Sequence, residues 1–225
     1  MAVAITQTAN PAGVATSSSV ATYTGVSTGT ASNDRVIAVC IGNEAASAGA
    51  TGVTIDGIAM RLANGTIFGA CGAWIYWLGW PTGTTATIAV TFASDVPDTQ
   101  NHIAVYSITD AKFPPLLSQV DTSTDMDASD PLTTASRTIP VGGGVLAVAA
   151  CATGTVAKTW ANITEDIDAN AGTFRFTTAT TTTGGTVTMT CTGGTNNEDG
   201  VLSYIILEPQ AIPDLTVSPM TPAMR

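Results

Sequence analysis

The chain has 225 residues, of which 11% are charged, with 7 basic side chains against 17 acidic and a formal net charge of −10. So few basic groups cannot build the cationic surface that displaces counterions from nucleic acid, and a hydrophobic content of 44% argues against a disordered chain. No window reaches the about 20 consecutive apolar residues of a membrane span, and the Met1 end has neither the positive start nor the apolar run of an export signal.

Helical periodicity is nearly absent. Short apolar or alternating runs recur between turn residues, which is the signature of antiparallel β-structure. The predicted strands of the first half are Val3–Thr8, Val20–Thr24, Arg35–Ile41, Val53–Ile55 with Ile58–Leu62, Ala73–Trp80, Thr85–Phe92 and Ile103–Ile108. Asp56-Gly57, Asn64-Gly65 and Pro81-Thr82-Gly83 supply turn chemistry between them, Asp-Gly and Asn-Gly being suited to the positive φ of tight hairpins. Residues 111–136, with Pro114-Pro115 and the acidic run Asp121–Asp130, read as a polar connection of little strand character. A second set follows: Arg137–Val141, Val145–Cys151, Thr159–Asp166, Thr173–Thr180, Thr186–Cys191 and Leu202–Leu207.

The two sets resemble each other at an offset of about 100 residues, too long for a solenoid and suited to a duplicated sandwich. Arg35–Ile41 matches Gly144–Ala150, Ala73–Tyr76 matches Thr173–Phe176, and Asn101–Ile108 matches Glu198–Ile205. Val53–Ile58 pairs likewise with Trp160–Glu165, and Thr84–Thr91 with Gly184–Thr190. The copies form either two small sandwiches or one larger, interlocked sandwich. About five strands per copy is thin for a separate two-sheet core, which favours the second arrangement. The expectation is therefore an all-β, antiparallel sandwich over 1–208, built from quasi-repeats 1–112 and 113–208. An extended arm follows over 209–225.

That arm holds four prolines, which exclude a helix. It also carries Ile212, Leu215, Val217, Met220 and Met224, too many apolar groups for a solvated linker. These five are the predicted partner-binding residues, lying across a neighbouring subunit. Composition points the same way. The chain keeps its polarity with 40 threonines rather than with charge, while an ordinary domain carries about 25% charged residues. Charge is depleted where a surface is covered by a partner. A secreted domain with a neutral, hydroxyl-rich surface is the alternative.

Chemistry is less legible than architecture. Cys40, Cys71, Cys151 and Cys191 are widely spaced, with no CxxC pair, and read as reduced, half-buried small hydrophobes rather than a zinc site. His102 is the only histidine; it precedes an apolar strand and is expected at its edge. No nucleophile elbow or phosphate loop accompanies it, so no catalytic residue is assigned. Asp166-Ile-Asp-Ala-Asn170 begins like a calcium loop but has Ala171 and Thr177 where glycine and glutamate belong. No metal and no cofactor is expected. The run Ala73-Trp-Ile-Tyr-Trp-Leu-Gly-Trp-Pro81 puts Trp74, Tyr76 and Trp80 on one face of a strand. They could stack sugar rings, or form a central strand buried on both faces.

Asn33-Asp-Arg-Val-Ile-Ala-Val-Cys-Ile-Gly42, followed by Trp-Ile-Tyr-Trp, by Pro81-Thr-Gly-Thr-Thr-Ala-Thr-Ile-Ala-Val-Thr-Phe92 and by Ile103-Ala-Val-Tyr-Ser-Ile108, resembles jelly-roll-like domains of tailed-bacteriophage virion proteins. The resemblance spans about Asp34–Leu207 and rests on strand grammar. It implies a non-enzymatic subunit of a shell or tail, most simply a capsid decoration (cement) protein. Such a subunit works through contacts with other virion proteins and with its own copies, without nucleic acid or membrane, and is assembled in the host cytoplasm. The alternative is a carbohydrate- or receptor-binding module of a tail fibre, or a secreted lectin-like protein, using Trp74, Tyr76 and Trp80.

Overall fold

A computed structural model describes residues 1–16, 19–44, 48–123, 131–152, 156–170, 172, 174–193 and 199–211. The first half forms β1 (Ala4–Ala9), β2 (Val20–Ser27), β3 (Val36–Asn43), β4 (Ala50–Ile55), β5 (Ile58–Ala59), β6 (Arg61–Phe68), β7 (Cys71–Gly79), β8 (Thr85–Phe92) and β9 (Asn101–Thr109). The second forms β10 (Ala111–Ser123), β11 (Leu132–Thr133), β12 (Arg137–Ile139), β13 (Gly144–Cys151), β14 (Thr159–Ala161), β15 (Thr164–Asn170), β16 (Arg175–Thr181), β17 (Gly185–Val187), β18 (Thr190–Thr192) and β19 (Gly200–Pro209). All the pairings among the described residues are antiparallel, as the alternating patterns require.

Each half has an inner and an outer sheet. The first inner sheet runs β1-β9-β3-β7-β6 and the second β10-β19-β13-β16-β15, so the same succession of strands recurs. The first outer sheet runs β2-β8-β4-β5. The second outer layer is broken into β11-β18-β14 and β12-β17, again with the chain-order equivalents side by side. The two inner sheets then face each other, giving four layers and three apolar seams.

Side-chain alternation explains the layering. On β3, Ile37, Val39 and Ile41 point toward the first outer sheet, while Ala38 and Cys40 point toward the second half. On β13, Ala147, Ala149 and Cys151 face the second outer layer, and Leu146, Val148 and Ala150 face the first half. Both strands are therefore buried on both faces, and both read as continuous apolar runs. No hydrogen-bonded strand pair among the described residues joins the halves, so a single interlocked two-sheet sandwich does not describe the molecule. Each half closes its own core, and a third apolar seam compensates for its small size.

The connection expected over 111–136 is largely strand. Residues 111–123 form β10, which pairs with β19 from Ala111↔Pro209 to Ser123↔Gly200. Its prolines fall within a register break between Lys112 and Leu117; an edge strand tolerates them there because only one side needs its donors. Two other predicted strands change sheet partway. Asn162, at φ 66°, separates β14 from β15, and the segment over 58–68 passes from β5 in the outer sheet to β6 in the inner one.

The alternation of strand directions sorts the connections to two poles. One pole gathers the C-terminal ends of β1, β3, β8, β13 and β18. The other holds the Asp56-Gly57 turn, Asp110, and the turn between β12 and β13. Both ends of the described body lie at this second pole: Val3 donates its N–H to the carbonyl of Gly142 (2.7 Å) and Gln210 to that of Asp110 (2.7 Å). The arm residues Ile212, Leu215, Val217, Met220 and Met224 fall outside the described residues.

Candidate interaction surfaces

The seam between halves is apolar, with a few defined polar contacts. Tyr106 of β9, fully buried, donates its hydroxyl to Asp166 of β15 (3.1 Å) and shares a 2.6 Å bond with the Thr178 hydroxyl of β16. Ser203 Oγ of β19 donates to the Ala73 carbonyl of β7 (2.9 Å), and Ala70 N–H to Asp199 Oδ2 (2.9 Å). Burial, with the Asp166 charge beside it, raises the Tyr106 pKa, and burial raises that of Asp166 against its hydroxyl donors.

His102 belongs to this seam and not to a strand edge. β9 lies between β1 and β3, and the ring is 94% buried against Phe176 of β16, centroids 4.9 Å apart. Nε2 donates to Asn10 Oδ1 (2.6 Å), while Nδ1 is buried with no partner. Desolvation lowers its pKa to about 4, so the ring is neutral at pH 7. Its role is packing.

The aromatic strand is interior as well. Trp74 and Tyr76 each retain 4% exposure, packed among β3, β4 and the first outer sheet, and Tyr76 donates to the Ala50 carbonyl (3.2 Å). A ring enclosed by core atoms has no face to offer a sugar. Trp80 is half-buried against the same cluster with its indole N–H enclosed, so the three do not form an exposed platform. The physical reason is β7's place between β3 and β6, covered by a sheet on each side.

The acidic residues are likewise engaged by protein groups, and Asp166–Asn170, which begins like a calcium loop in sequence, belongs to strand β15. Asp168 pairs with Arg175 (2.5 Å) and accepts the Lys158 N–H (3.1 Å), while Asp166 serves Tyr106 and Thr180. Asp95 accepts Ser19 N–H (2.5 Å) and the Thr16 hydroxyl (3.2 Å). Asn101 ties Val14, Pro97 and the Tyr23 hydroxyl together. These contacts brace the loop pole and leave no cluster of metal ligands among the described residues. The four cysteines are buried and form no disulfide with one another.

What remains exposed is unusual in another way. On the first outer sheet, Tyr23, Val26, Ile55, Ile88 and Val90 point inward, so Thr22, Thr24, Thr54, Thr85, Thr87 and Thr91 point out. On the second, Leu132, Ile139, Met189 and Cys191 point inward, and Thr133, Thr138, Thr186, Thr188, Thr190 and Thr192 point out. The outward strand positions described on either face carry no charged side chain; Arg137 turns inward to Tyr204 and Gln119. The run Thr186-Val-Thr-Met-Thr-Cys-Thr192 states this alternation in the sequence itself.

Two clefts at the second pole repeat the chemistry. One of about 380 Å³ is lined by Asn162, Thr181, Thr183, Thr186 and Thr188 with Ile139, and one of about 250 Å³ by Thr6, Thr8, Thr30, Ser32, Ser107 and Thr109. Both are neutral and hydroxyl-rich. Neither holds a paired acid and base, and no aromatic ring lines them. No family model matches the chain, and no curated protein or solved structure matches it.

Proposed function

We propose that the protein is a non-enzymatic structural subunit of a virion of the tailed-bacteriophage type, with capsid decoration as its leading role. The observation that carries this reading is the partition of charge: two broad outer faces without a charged strand residue, on a molecule of net charge −10. Surfaces depleted of charge suit lasting contact with other subunits. A stiff four-layer body held by three apolar seams would transmit such contacts without deforming, and binding to the assembled shell alone would stabilise it by mass action. The apolar arm adds a second means of attachment, by strand addition or groove binding.

The test is quantitative mass spectrometry of purified particles from the source. Many copies per particle are expected, and a chain absent from particles overturns the reading. Truncation after Ala211 spares the Ala111↔Pro209 pairing and the Gln210 bond. It should leave the body folded and lower its occupancy on particles.

The hydroxyl-lined clefts favour a second reading, a module that binds neutral glycans. Binding on a glycan array that disappears when Thr186 is replaced by valine, with the fold intact, would select it.

A further inference from the structure

The two threonine faces lie on opposite sides of one molecule, and the inner sheets show how this topology meets itself: the equivalent sheets β1-β9-β3-β7-β6 and β10-β19-β13-β16-β15 already pack face to face. We propose that the outer faces continue this stacking between copies, the face of β2, β8 and β4 resting on the face of β11, β12, β17, β18 and β14 of a second copy of this chain. The proposal rests on the reading of the protein as a subunit and names the partner of those faces.

Charge selects the occupant. Copies that each carry −10 repel one another, so they approach best where carboxylates are fewest; the strands of these faces carry none, and Asp56 stands at the rim of the first, accepting the Thr87 N–H (2.7 Å). A basic partner would instead be drawn to the exposed acidic residues off these strands, such as Asp95, Asp98 and Glu165. Hydroxyls opposite hydroxyls can exchange hydrogen bonds with little desolvation of charge. Thr133 Oγ1 already donates to Thr190 Oγ1 across its own sheet (3.3 Å).

Size sets the strength. Three strands of about eight residues make a face of roughly 400 Å² at strand spacings near 4.8 Å and rises near 3.3 Å. A contact then buries about 800 Å² in total, half of a standard interface. Each contact is weak alone and gains from repetition along an array or on a shell. Two unlike faces on opposite sides make the contact heterologous, so stacking extends into a row or closes into a ring.

Sedimentation of the full chain from about 10 µM to about 1 mM tests this. Association is expected in the upper part of that range and should strengthen as salt rises, because salt screens the repulsion between copies while the contact itself carries no charge. A contact made by charge pairs would weaken instead. Replacing Thr22 and Thr91 by glutamate, at exposed positions, should raise the apparent Kd at least tenfold. The same two charges placed at Val141 and Val156, exposed in loops outside the face strands, should change it less than threefold. A chain that stays monomeric at the highest concentration and salt overturns the proposal, as does an equal loss in both variants. If the chain is abundant in particles but does not self-associate, the stacking fails and the virion reading stands. If it stacks but is absent from particles, the reverse holds.

Discussion

The two halves share their succession of strands yet close the second pole by opposite means. In the first, Arg35 precedes β3 and is 1% exposed. Its guanidinium donates to five carbonyls: Trp80 (2.7 Å), Thr28 (3.1 Å), Gly29 (2.9 Å), Thr82 (2.7 Å) and Gly83 (2.9 Å). No carboxylate takes part, and desolvation lowers its pKa. The planar fork instead collects the loops after β2 and β7 into one unit. At the matching place in the second half stands Gly144, where an added Cβ would lie 2.9 Å from Ile5 Cδ1 and 3.2 Å from the Thr181 carbonyl. Beside it, a Cβ on Gly143 would lie 2.5 Å from the Leu207 carbonyl. One half gathers its loops around a cation, and the other brings backbone against backbone. A shared topology thus leaves the chemistry of closure free, because strand pairing is set by alternation and the loops need only satisfy their own polar groups.

The largest expected effect lies in what the halves have in common, the seam. Phe176→Ala should destabilise the protein by about 3–5 kcal/mol, as other buried Phe→Ala changes do. The melting temperature reads this directly. Gly42→Ala should also be costly, since its Cβ would stand 2.5 Å from Phe176 Cδ2. Phe176→Leu added to it should recover part of the loss, and additive effects would show that the contact does not couple the halves.

Next comes the difference between the closures. Arg35→Ala strands several carbonyls and should cost about 3 kcal/mol, or roughly 6–12 °C at this chain length. Hydrogen exchange should rise in the loops after β2 and β7 while the second half is unaffected. Equal acceleration in both halves would mean that they open as one unit.

A pH-dependent effect of no greater size belongs to the seam. The His102 pKa is lowered to about 4 in the folded protein, against about 6.5 when unfolded. Between these values the unfolded chain binds the extra proton, so stability falls as pH drops from about 6.5 toward 4, by up to about 3 kcal/mol. Asp166, whose pKa is raised, acts in the other direction as it takes up its proton. His102→Phe should flatten the slope in that window, and an unchanged slope would assign it to other groups. The smallest effect is that of Ser203→Ala, which deletes one buried bond across the seam and should cost about 1 kcal/mol.

Much of the architecture was legible because alternation and apolar runs are local signals. β3, β8, β13 and β19 lie within a few residues of their predicted bounds. β10 was hidden because Pro114-Pro115 signals a break, and only its pairing with β19 shows that the break is a bulge on an edge. The four-layer arrangement was hidden too, since an inner sheet covered by its own outer sheet and one covered by the other half produce the same apolar run. In the aromatic strand, tryptophan is conspicuous, yet an apolar face on each side fits burial better than a sugar platform. The threonine faces left a plainer trace, in Thr186–Thr192. That trace is ambiguous, because threonine is also an ordinary strand former.

The meeting of Val3 with Gly142 and of Gln210 with Asp110 has a consequence for handling the molecule. Any tag, fusion or tether joined to either end of the body departs from a single pole. The C-terminal ends of β1, β3, β8, β13 and β18 then lie at the pole opposite the point of attachment. A short linker across the neighbouring ends should allow the chain to be reopened after one of those strands, as circular permutation requires. Anchored by its ends, the body becomes a pedestal whose far side can carry inserted peptides.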